Sequence, residues 1–278
     1  MTIDEIIDAA LKEDIGDGDH TSLSTIPATA KGKARLLIKE AGIICGIDVA
    51  LKVLYKVDST LIIHRILSDG DLVKPGDVAF TVEGSSISIL TAERLLLNFM
   101  QRMSGIATTT NRYVQQLKGT KARLLDTRKT TPLLREIEKY AVKTGGGDNH
   151  RFGLFDMILI KDNHIDFAGG IANAVNAVDA YLRSKDLNLK IEVEARTIDD
   201  VREILRFKHV HRIMLDNFTA SRMKEAVALI NGRVETEASG GITIDNLREY
   251  AETGVDYISV GALTHHIKSL DMSLKAFN

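Results

Sequence analysis

IEVEARTIDDVREILRFKHVHRIMLDNFTASRMKEAVALINGRVETEASGGITIDNLREYAETGVDYISVGA, residues 191–262, carries two periodicities side by side. Short apolar runs end on polar or small residues: IEVEA at Ala195, RIMLD at Asp216, VETEASGG at Gly241 and YISVGA at Ala262. Between them, IDDVREILRF, SRMKEAVALI and IDNLREYAETG repeat apolar residues at a spacing near 3.6, the period of a helix with one buried face. The strand tails at 194, 216, 238 and 260 are 22 residues apart. Regular strand–helix units of this length predict a parallel sheet, closed or nearly closed into a barrel. Upstream, LLDT ending at Thr127 and MILIKD ending at Asp162 add two strands, and ANAVNAVDAYLRS adds a helix. These six strands fall short of the eight of a full barrel, so the reading is an open, incomplete (β/α) barrel.

Before residue 120 the pattern changes. KGKARLLIKEAGIICG and STLIIHRILSDG read as strands with the helix VALKVLYKV between them, and VKPGDVAFTVEG reads as a turn at Pro75-Gly76 followed by a strand. This is an N-terminal α+β, sandwich-like layer domain. A long helix follows over TAERLLLNFMQRMSGIATTTNRYVQQLK, with Ala92, Leu95, Leu96, Phe99, Met100 and Met103 on one face. The expected division is residues 1–115 for the α+β domain and 116–265 for the α/β barrel, with 266–278 packing back on the first domain.

Charge and composition exclude several classes. The net charge of −2 argues against a protein that coats nucleic acid or an anionic membrane, so any anion site must be a local concentration of charge. Hydrophobic residues make up 44 %, enough for a sizeable core. The single cysteine, Cys45, reads as a small buried side chain and points to a reducing compartment. The N-terminus lacks the basic start and apolar run of a signal peptide, and no stretch approaches a membrane span, so a soluble, cytoplasmic protein is expected.

In a parallel barrel, functional groups gather where strands end. In order, those ends carry Arg128 and Lys129, Lys161, Glu194, Asp216, Ser239-Gly240-Gly241, and Gly261. Arg128, Lys129, His150, Arg151 and Lys161 flank turns and suit an anion with several charges, since arginine grips carboxylates in an oriented, bidentate way. Arg135, Lys139 and Lys143 lie on the helical pattern LLREIEKYAVK and read as solvated. Glu194 and Asp216 suit Mg2+ or a developing positive charge; the competing reading is ion pairing with the nearby cations. Glu192 shares the side-chain parity of Glu194 and so faces the barrel interior. Ser239-Gly240-Gly241, ahead of a helix expected near Thr243, and Gly261 suit a phosphate; the competing reading is a pair of tight turns. His164 reads equally as a structural hydrogen-bonding group, and Arg94 either as solvated or as reaching a neighbouring subunit.

DTRKTTP, the pair His150-Arg151, IKDNH, IEVEA, MLDNF, EASGG and ISVGALTH together resemble the nicotinate-nucleotide pyrophosphorylases, also called quinolinate phosphoribosyltransferases. The resemblance extends to EDIGDGDHTS, to AERLLLNFMQRMSGIAT and to the closing DMSL, and so covers nearly the whole chain in order. It implies an α+β domain followed by an open α/β barrel, in a homodimer or an assembly of dimers. It also implies transfer of phosphoribosyl from phosphoribosyl pyrophosphate to quinolinate with loss of carbon dioxide, using Mg2+, as a step of de novo NAD biosynthesis. By resemblance Arg128, His150, Arg151 and Lys161 line the quinolinate pocket, and Arg94 comes from the neighbouring subunit. Lys129 faces carboxylate or pyrophosphate, Glu194 and Asp216 lie near ribose and metal, and Ser239, Gly240, Gly241 and Gly261 hold the 5′-phosphate. Lys129, Lys161, Glu194 and Asp216 are the catalytic candidates.

Three rivals remain at this stage. A sister group associated with molybdate transport operons shares the TRKT element but departs at the helix arginine and the KDNH segment, both present here as Arg94 and Lys161. A Schiff-base aldolase would use Lys161, but the surrounding cations do not build the apolar pocket such a lysine needs. DGDLVKPGDVAFTVEG resembles part of a biotinyl or lipoyl carrier, yet lacks the modifiable lysine hairpin.

Overall fold

The structure, a computed structural model, describes residues 2–277. It divides into two compact units, each made of discontinuous segments. The first takes in residues up to Asn111, Thr130–Gly146, and Leu263 onward; the second takes in Arg112–Lys129 and Gly147–Ala262.

The first unit opens with α1 (Ile3–Ile15), started by a reciprocal cap in which the Thr2 hydroxyl accepts from the Glu5 amide and the Glu5 carboxylate accepts from the Thr2 amide. The chain continues through α2 (His20–Thr25), β1 (Lys31–Ile38), β2 (Gly42–Ile43), α3 (Ile47–Val57), β3 (Ile62–Arg65), β4 (Leu72–Val73), β5 (Val78–Ser85) and α4 (Ser86–Gln116). The sequence pattern expects α4 from Thr91, but β5 runs directly into it, and the Ser85 hydroxyl accepts the Ser88 amide in the first turn. The six apolar positions from Ala92 to Met103 on its predicted face are all buried. Cys45 is fully buried, and burial pushes its thiol up to about 12, so it is chemically inert.

From there the elements alternate: β6 (Arg123–Leu125), α5 (Arg135–Thr144), β7 (Ile158–Ile160), α6 (Asp162–Ala168), α7 (Ile171–Lys185), β8 (Ile191–Ala195), α8 (Ile198–Ile204), β9 (Arg212–Asp216), α9 (Ala220–Ile230), β10 (Glu235–Ser239), α10 (Leu247–Ala251), β11 (Tyr257–Ser259), α11 (Ala262–His265) and β12 (Met272–Phe277). Strands β6 to β11 form one six-stranded parallel sheet of order β6-β11-β10-β9-β8-β7. All five residues of β8 are buried, as expected of a strand covered on both faces. Among the described residues no ladder joins β6 to β7. Instead Asp148 lies against β6, its amide donating to Leu124 O at 2.8 Å and its carbonyl accepting the Asp126 amide at 3.1 Å. The parallel sheet is therefore open at one seam, which an irregular segment covers.

The last strand, β12, returns to pair antiparallel with β1 and completes the first unit's sheet, β12-β1-β5-β3. It is tied to α4 by Gln101, whose amide donates to Met272 O at 3.0 Å.

Two expectations need correction. Lys139 is buried, not solvated: α5 also buries Ile137, Glu138, Ala141 and Val142, so it is enclosed around most of its girth. The Glu138 carboxylate accepts two bonds from the Arg102 guanidinium and one from the Thr131 amide, so a polar residue takes a core position there. The helix after the glycine pair starts at Leu247, not near Thr243. Thr243 to Asn246 form a turn instead, in which the Asn246 side chain accepts the Thr243 amide and donates to Gly241 O.

Gly105 sits within α4, where alanine is ordinarily the better helix former. Here a Cβ would collide with the carbonyl oxygen of Lys268 and lie 3.1 Å from the Ser269 Cα, neither of which is a flexible side-chain end. Gly105→Ala should therefore lower the unfolding free energy by about 1–3 kcal/mol, the usual cost of overpacking. Urea denaturation measures this; a gain in stability would refute the close packing.

Asp156 accepts the amides of Phe152 and Gly153 at 2.6 and 2.8 Å and so shapes the turn after Arg151. Burial alone would raise its carboxyl, but those two amides and the Arg151 charge hold it below the ordinary value. A depressed carboxyl contributes stability above its unfolded pKa and loses it as pH falls through the folded value. Asp156→Ala should cost about 1–2 kcal/mol at pH 7. The gap from the parent should close as pH drops below about 4. A gap independent of pH would contradict this account.

Candidate functional site

Parallel pairing places the ends of β6 to β11 along one edge of the second unit's sheet. Across the sheet in spatial order, that edge carries Thr127-Arg128-Lys129 after β6 and Gly261 after β11. It continues with Ser239-Gly240-Gly241 at β10, Asp216 at β9, Glu194 at β8 and Lys161 after β7. Glycine loops and carboxylates occupy the middle, and cations stand at the two outer strands that flank the seam.

The seam brings cations of both edges together. Arg128 and Lys129 are exposed, and the Lys129 amide donates to the Thr127 hydroxyl at 3.0 Å, which turns the chain just past β6. Arg151 arrives on the segment laid against β6; its guanidinium donates to Met157 O at 3.3 Å. Burial, and then the charge of Arg128, hold Arg151 below the usual arginine value. Two guanidinium groups close enough to oppose each other's charge make a site that an anion relieves.

Lys161 precedes α6, and its amide donates to His164 Nδ1 at 2.9 Å, which gives His164 a structural hydrogen-bonding role. The Lys161 ammonium lies 3.4 Å from Glu194, which is buried, whereas Lys161 is half-exposed. Burial raises the Glu194 carboxyl, Lys161 pulls it back, and the charge of Asp216 pushes it up again. The ion pair that one reading of Glu194 expects is thus present, and Glu194 also feels the charge of Asp216. An acidic pair that repels itself, with oxygen donors only, fits a hard divalent cation.

Gly240 has φ +95°, and a Cβ there would collide with the Asn217 side chain and lie 2.8 Å from the Asn217 amide nitrogen. Asn217 itself has φ +55° and donates its amide to Ser239 O at 2.9 Å. The loops after β9 and β10 are therefore locked together, and glycine is required where they cross. Gly241, at φ +60°, is exposed with open space around it, leaving backbone accessible to a ligand. Arg94 is exposed on α4.

His150 differs from the other cations. Its side chain is only 6 % exposed, with Nε2 3.1 Å from Glu192 and 3.3 Å from Glu237, both fully buried. Arg212 completes the cluster, 3.0 Å from Glu237 and 3.9 Å from Glu192, with its guanidinium 4.0 Å from the Tyr257 ring centroid. Burial alone would make the imidazole harder to protonate, but the two carboxylates outweigh it. Nδ1, however, accepts the Arg151 amide at 2.7 Å, which a ring protonated there could not do. The ring proton therefore sits on Nε2, between the carboxylates. Burial, and then the charge of Glu237, raise the Glu192 carboxyl to about 7. Asp126, also buried, accepts the His150 amide at 2.8 Å.

Sequence reasoning missed Asp126, Arg212 and Glu237. A signal for Glu237 exists: VETEA repeats the spacing of IEVEA, so Glu237 takes the interior parity of Glu192 one unit later. Asp126, lying at the end of an apolar run, carried no such cue.

Comparison with known proteins gives the family of the chain. The family models described as the N-terminal and C-terminal domains of quinolinate phosphoribosyl transferase match residues 19–104 and 106–275. The nicotinate-nucleotide pyrophosphorylase [carboxylating] of Oryza sativa subsp. japonica, chloroplastic, is 48 % identical over 285 residues, covering 97 % of this chain and 76 % of its own. The same-named protein of Mycobacterium leprae (strain TN) is 42 % identical, covering 97 % of this chain and 95 % of its own. Among solved structures, NadC from Streptococcus pyogenes superposes with a TM-score of 0.94 at 38 % identity, covering 99 % of this chain and 97 % of the other. With both family domains matched in order over almost its full length, this chain belongs to the quinolinate phosphoribosyltransferase family.

Proposed function

We propose that the second unit's strand edge binds quinolinate and phosphoribosyl pyrophosphate together and joins them, giving nicotinate mononucleotide, pyrophosphate and carbon dioxide. The observation that carries this reading is the opposition of Arg128 to Arg151 at one place on the edge and of Glu194 to Asp216 at another. The first pair suits a dianion; the second suits a centre that becomes positive. The name of a 47 % identical relative from Nicotiana glauca, quinolinate phosphoribosyltransferase [decarboxylating] 2, mitochondrial, specifies quinolinate and decarboxylation and supports the same substrates. Nothing supports the molybdate-operon alternative.

In this reading Arg128 and Arg151 grip the two pyridine carboxylates, while Lys161 and Lys129 offset charge on carboxylate and pyrophosphate. Main-chain groups of Ser239, Gly240, Gly241 and Gly261 hold the 5′-phosphate. As the C1–pyrophosphate bond lengthens, the ribose becomes cation-like, and Glu194 and Asp216 favour that state electrostatically. The pyridine nitrogen attacks C1. The quaternised ring then takes up the electron pair left when the adjacent carboxylate departs as carbon dioxide, and a proton from solvent or Lys161 restores the C–H bond. Glu194 and Asp216 would hold Mg2+, which when bound offsets the charge of the pyrophosphate oxygens. Positioning and electrostatics carry the catalysis, and no covalent enzyme intermediate is needed.

The finer assignments belong to the same proposal. A homodimer, or an assembly of dimers, in which Arg94 of one subunit serves its neighbour's site accounts for an exposed arginine on a helix whose apolar face is already buried. A lone, buried Cys45 supports a reducing, cytoplasmic setting, and no helix among the described residues is long and apolar enough to cross a membrane.

Formation of nicotinate mononucleotide from quinolinate, phosphoribosyl pyrophosphate and Mg2+ tests the reaction, with nicotinate replacing quinolinate as the control; a preference for nicotinate would overturn it. Arg128→Ala and Arg151→Ala should each raise the KM for quinolinate by about 10- to 100-fold, the worth of a charge-assisted hydrogen bond. Unchanged quinolinate affinity in both would remove the pocket assignment. Arg94→Ala and Arg128→Ala subunits, each impaired alone at low quinolinate, should regain activity there when mixed, because one site of the hybrid dimer carries neither lesion. No recovery after verified subunit exchange would exclude a shared site.

A further inference from the structure

Four ionisable side chains of the second unit's interior have no part in the reaction described above. Glu192 on β8 and Glu237 on β10 converge on the His150 ring, Arg212 on β9 lies against both carboxylates, and Ser259 on β11 faces Glu237. Burying such a set is costly and adds little stability compared with apolar side chains of similar volume. Its geometry suggests a different use, because the ring is a relay with two ends. Nε2 lies at ion-pair distance from both carboxylates, and Nδ1 accepts the main-chain N–H of Arg151 at 2.7 Å. The buried Asp126 pins the preceding amide, that of His150, at 2.8 Å. Backbone N–H groups of two consecutive residues are thereby anchored to the interior, and the next side chain outward is the Arg151 guanidinium.

The same donors are of metal-binding type, with three ligand atoms within 4.8 Å of one another. Arg212 argues against that use, because its guanidinium already lies against both carboxylates and would oppose a second cation. The enclosure of the ring, at 6 % exposure, also argues against a direct substrate contact by His150.

We propose that Glu192, Glu237 and Arg212 are positioning residues for the phosphoribosyl transfer, acting through His150: they fix the ring, the ring fixes the Arg151 amide, and the anchored amide aims the Arg151 guanidinium at the pyridine dicarboxylate. His150 is then a positioning residue and does not touch the substrate, contrary to what the resemblance implies. The inference rests on the placement of quinolinate at Arg128 and Arg151.

The test compares His150→Gln with His150→Asn in the full-length enzyme, assayed with quinolinate, phosphoribosyl pyrophosphate and Mg2+. Asparagine keeps an acceptor near the Nδ1 position; glutamine reaches toward Nε2 but gives up that acceptor. His150→Gln should raise the quinolinate KM about tenfold, leave the phosphoribosyl pyrophosphate KM within about twofold and speed hydrogen exchange at the Arg151 amide about tenfold, as loss of one buried hydrogen bond implies. His150→Asn should do less damage than His150→Gln in both quantities, because it keeps the acceptor for the Arg151 amide, but should not match the parent, because it loses the contact of Nε2 with Glu192 and Glu237. Glu192→Gln and Glu237→Gln should move the same two quantities in the same direction; if either fails to fold, the His150 pair decides alone. Equal damage in the Asn and Gln variants would indicate a direct contact and overturn the proposal. So would a raised quinolinate KM with the Arg151 amide still protected, or both KM values moving together. Arg151→Ala separates the two levels. If that variant binds quinolinate normally, the pocket assignment fails and the relay falls with it. If it binds poorly while His150→Gln behaves as the parent, only the relay is lost.

Discussion

Parallel pairing of β6 to β11 is the constraint on which the rest of the second unit depends. Strands that all point one way cannot be joined by hairpins, so each must be followed by a crossover, and helices cover the sheet. The same arrangement collects every strand end on one edge. Residues far apart in sequence, from Arg128 to Gly261, thus become neighbours without any loop having to travel. The open seam adds a second consequence. A closed sheet would fill the gap between β6 and β7 with backbone hydrogen bonds. Here Asp148 lies against β6, and the segment that follows carries Arg151 to where it feels the charge of Arg128.

Charge is distributed by depth. At the edge, Arg128, Lys129 and Lys161 are exposed or half-exposed, and their fields are opposed by one another or by Glu194. Deeper, Glu192, Glu237, Arg212 and His150 neutralise one another with almost no solvent. Water screens the first set until a ligand displaces it; the second set has no water to lose. A buried network of this kind holds its geometry because every departure leaves a charge unpaired. That makes it a firm foundation for the exposed and half-exposed cations at the edge.

Much of this was legible in the chain. The 22-residue spacing of the apolar runs predicted the strands along the chain and which residues end on one edge of the sheet. The parity of Glu192 predicted its burial. Lys139 was misread because helix periodicity reports which apolar residues face inward but not that polar ones are enclosed too. The start of α10 was misread because Thr243 and Asn246 bond each other across a turn, which competes with helix. His150 reads in the sequence as one more anion-gripping cation beside Arg151, since adjacent residues in a loop have no fixed parity.

By itself, then, the sequence determined the elements, their alternation and the residue types at each strand end, because these depend on local periodicity and on side-chain chemistry. It also determined the family, through motifs spread in order along the whole chain. Only the tertiary structure decided that the sheet stays open, that Arg128 and Arg151 meet across the seam, and that His150 turns inward to Glu192 and Glu237 while its amide is held by Asp126. Those outcomes depend on which strands become neighbours and on how buried charges find partners. Both are long-range matters, settled by closure and desolvation of the folded chain, and no local pattern encodes them.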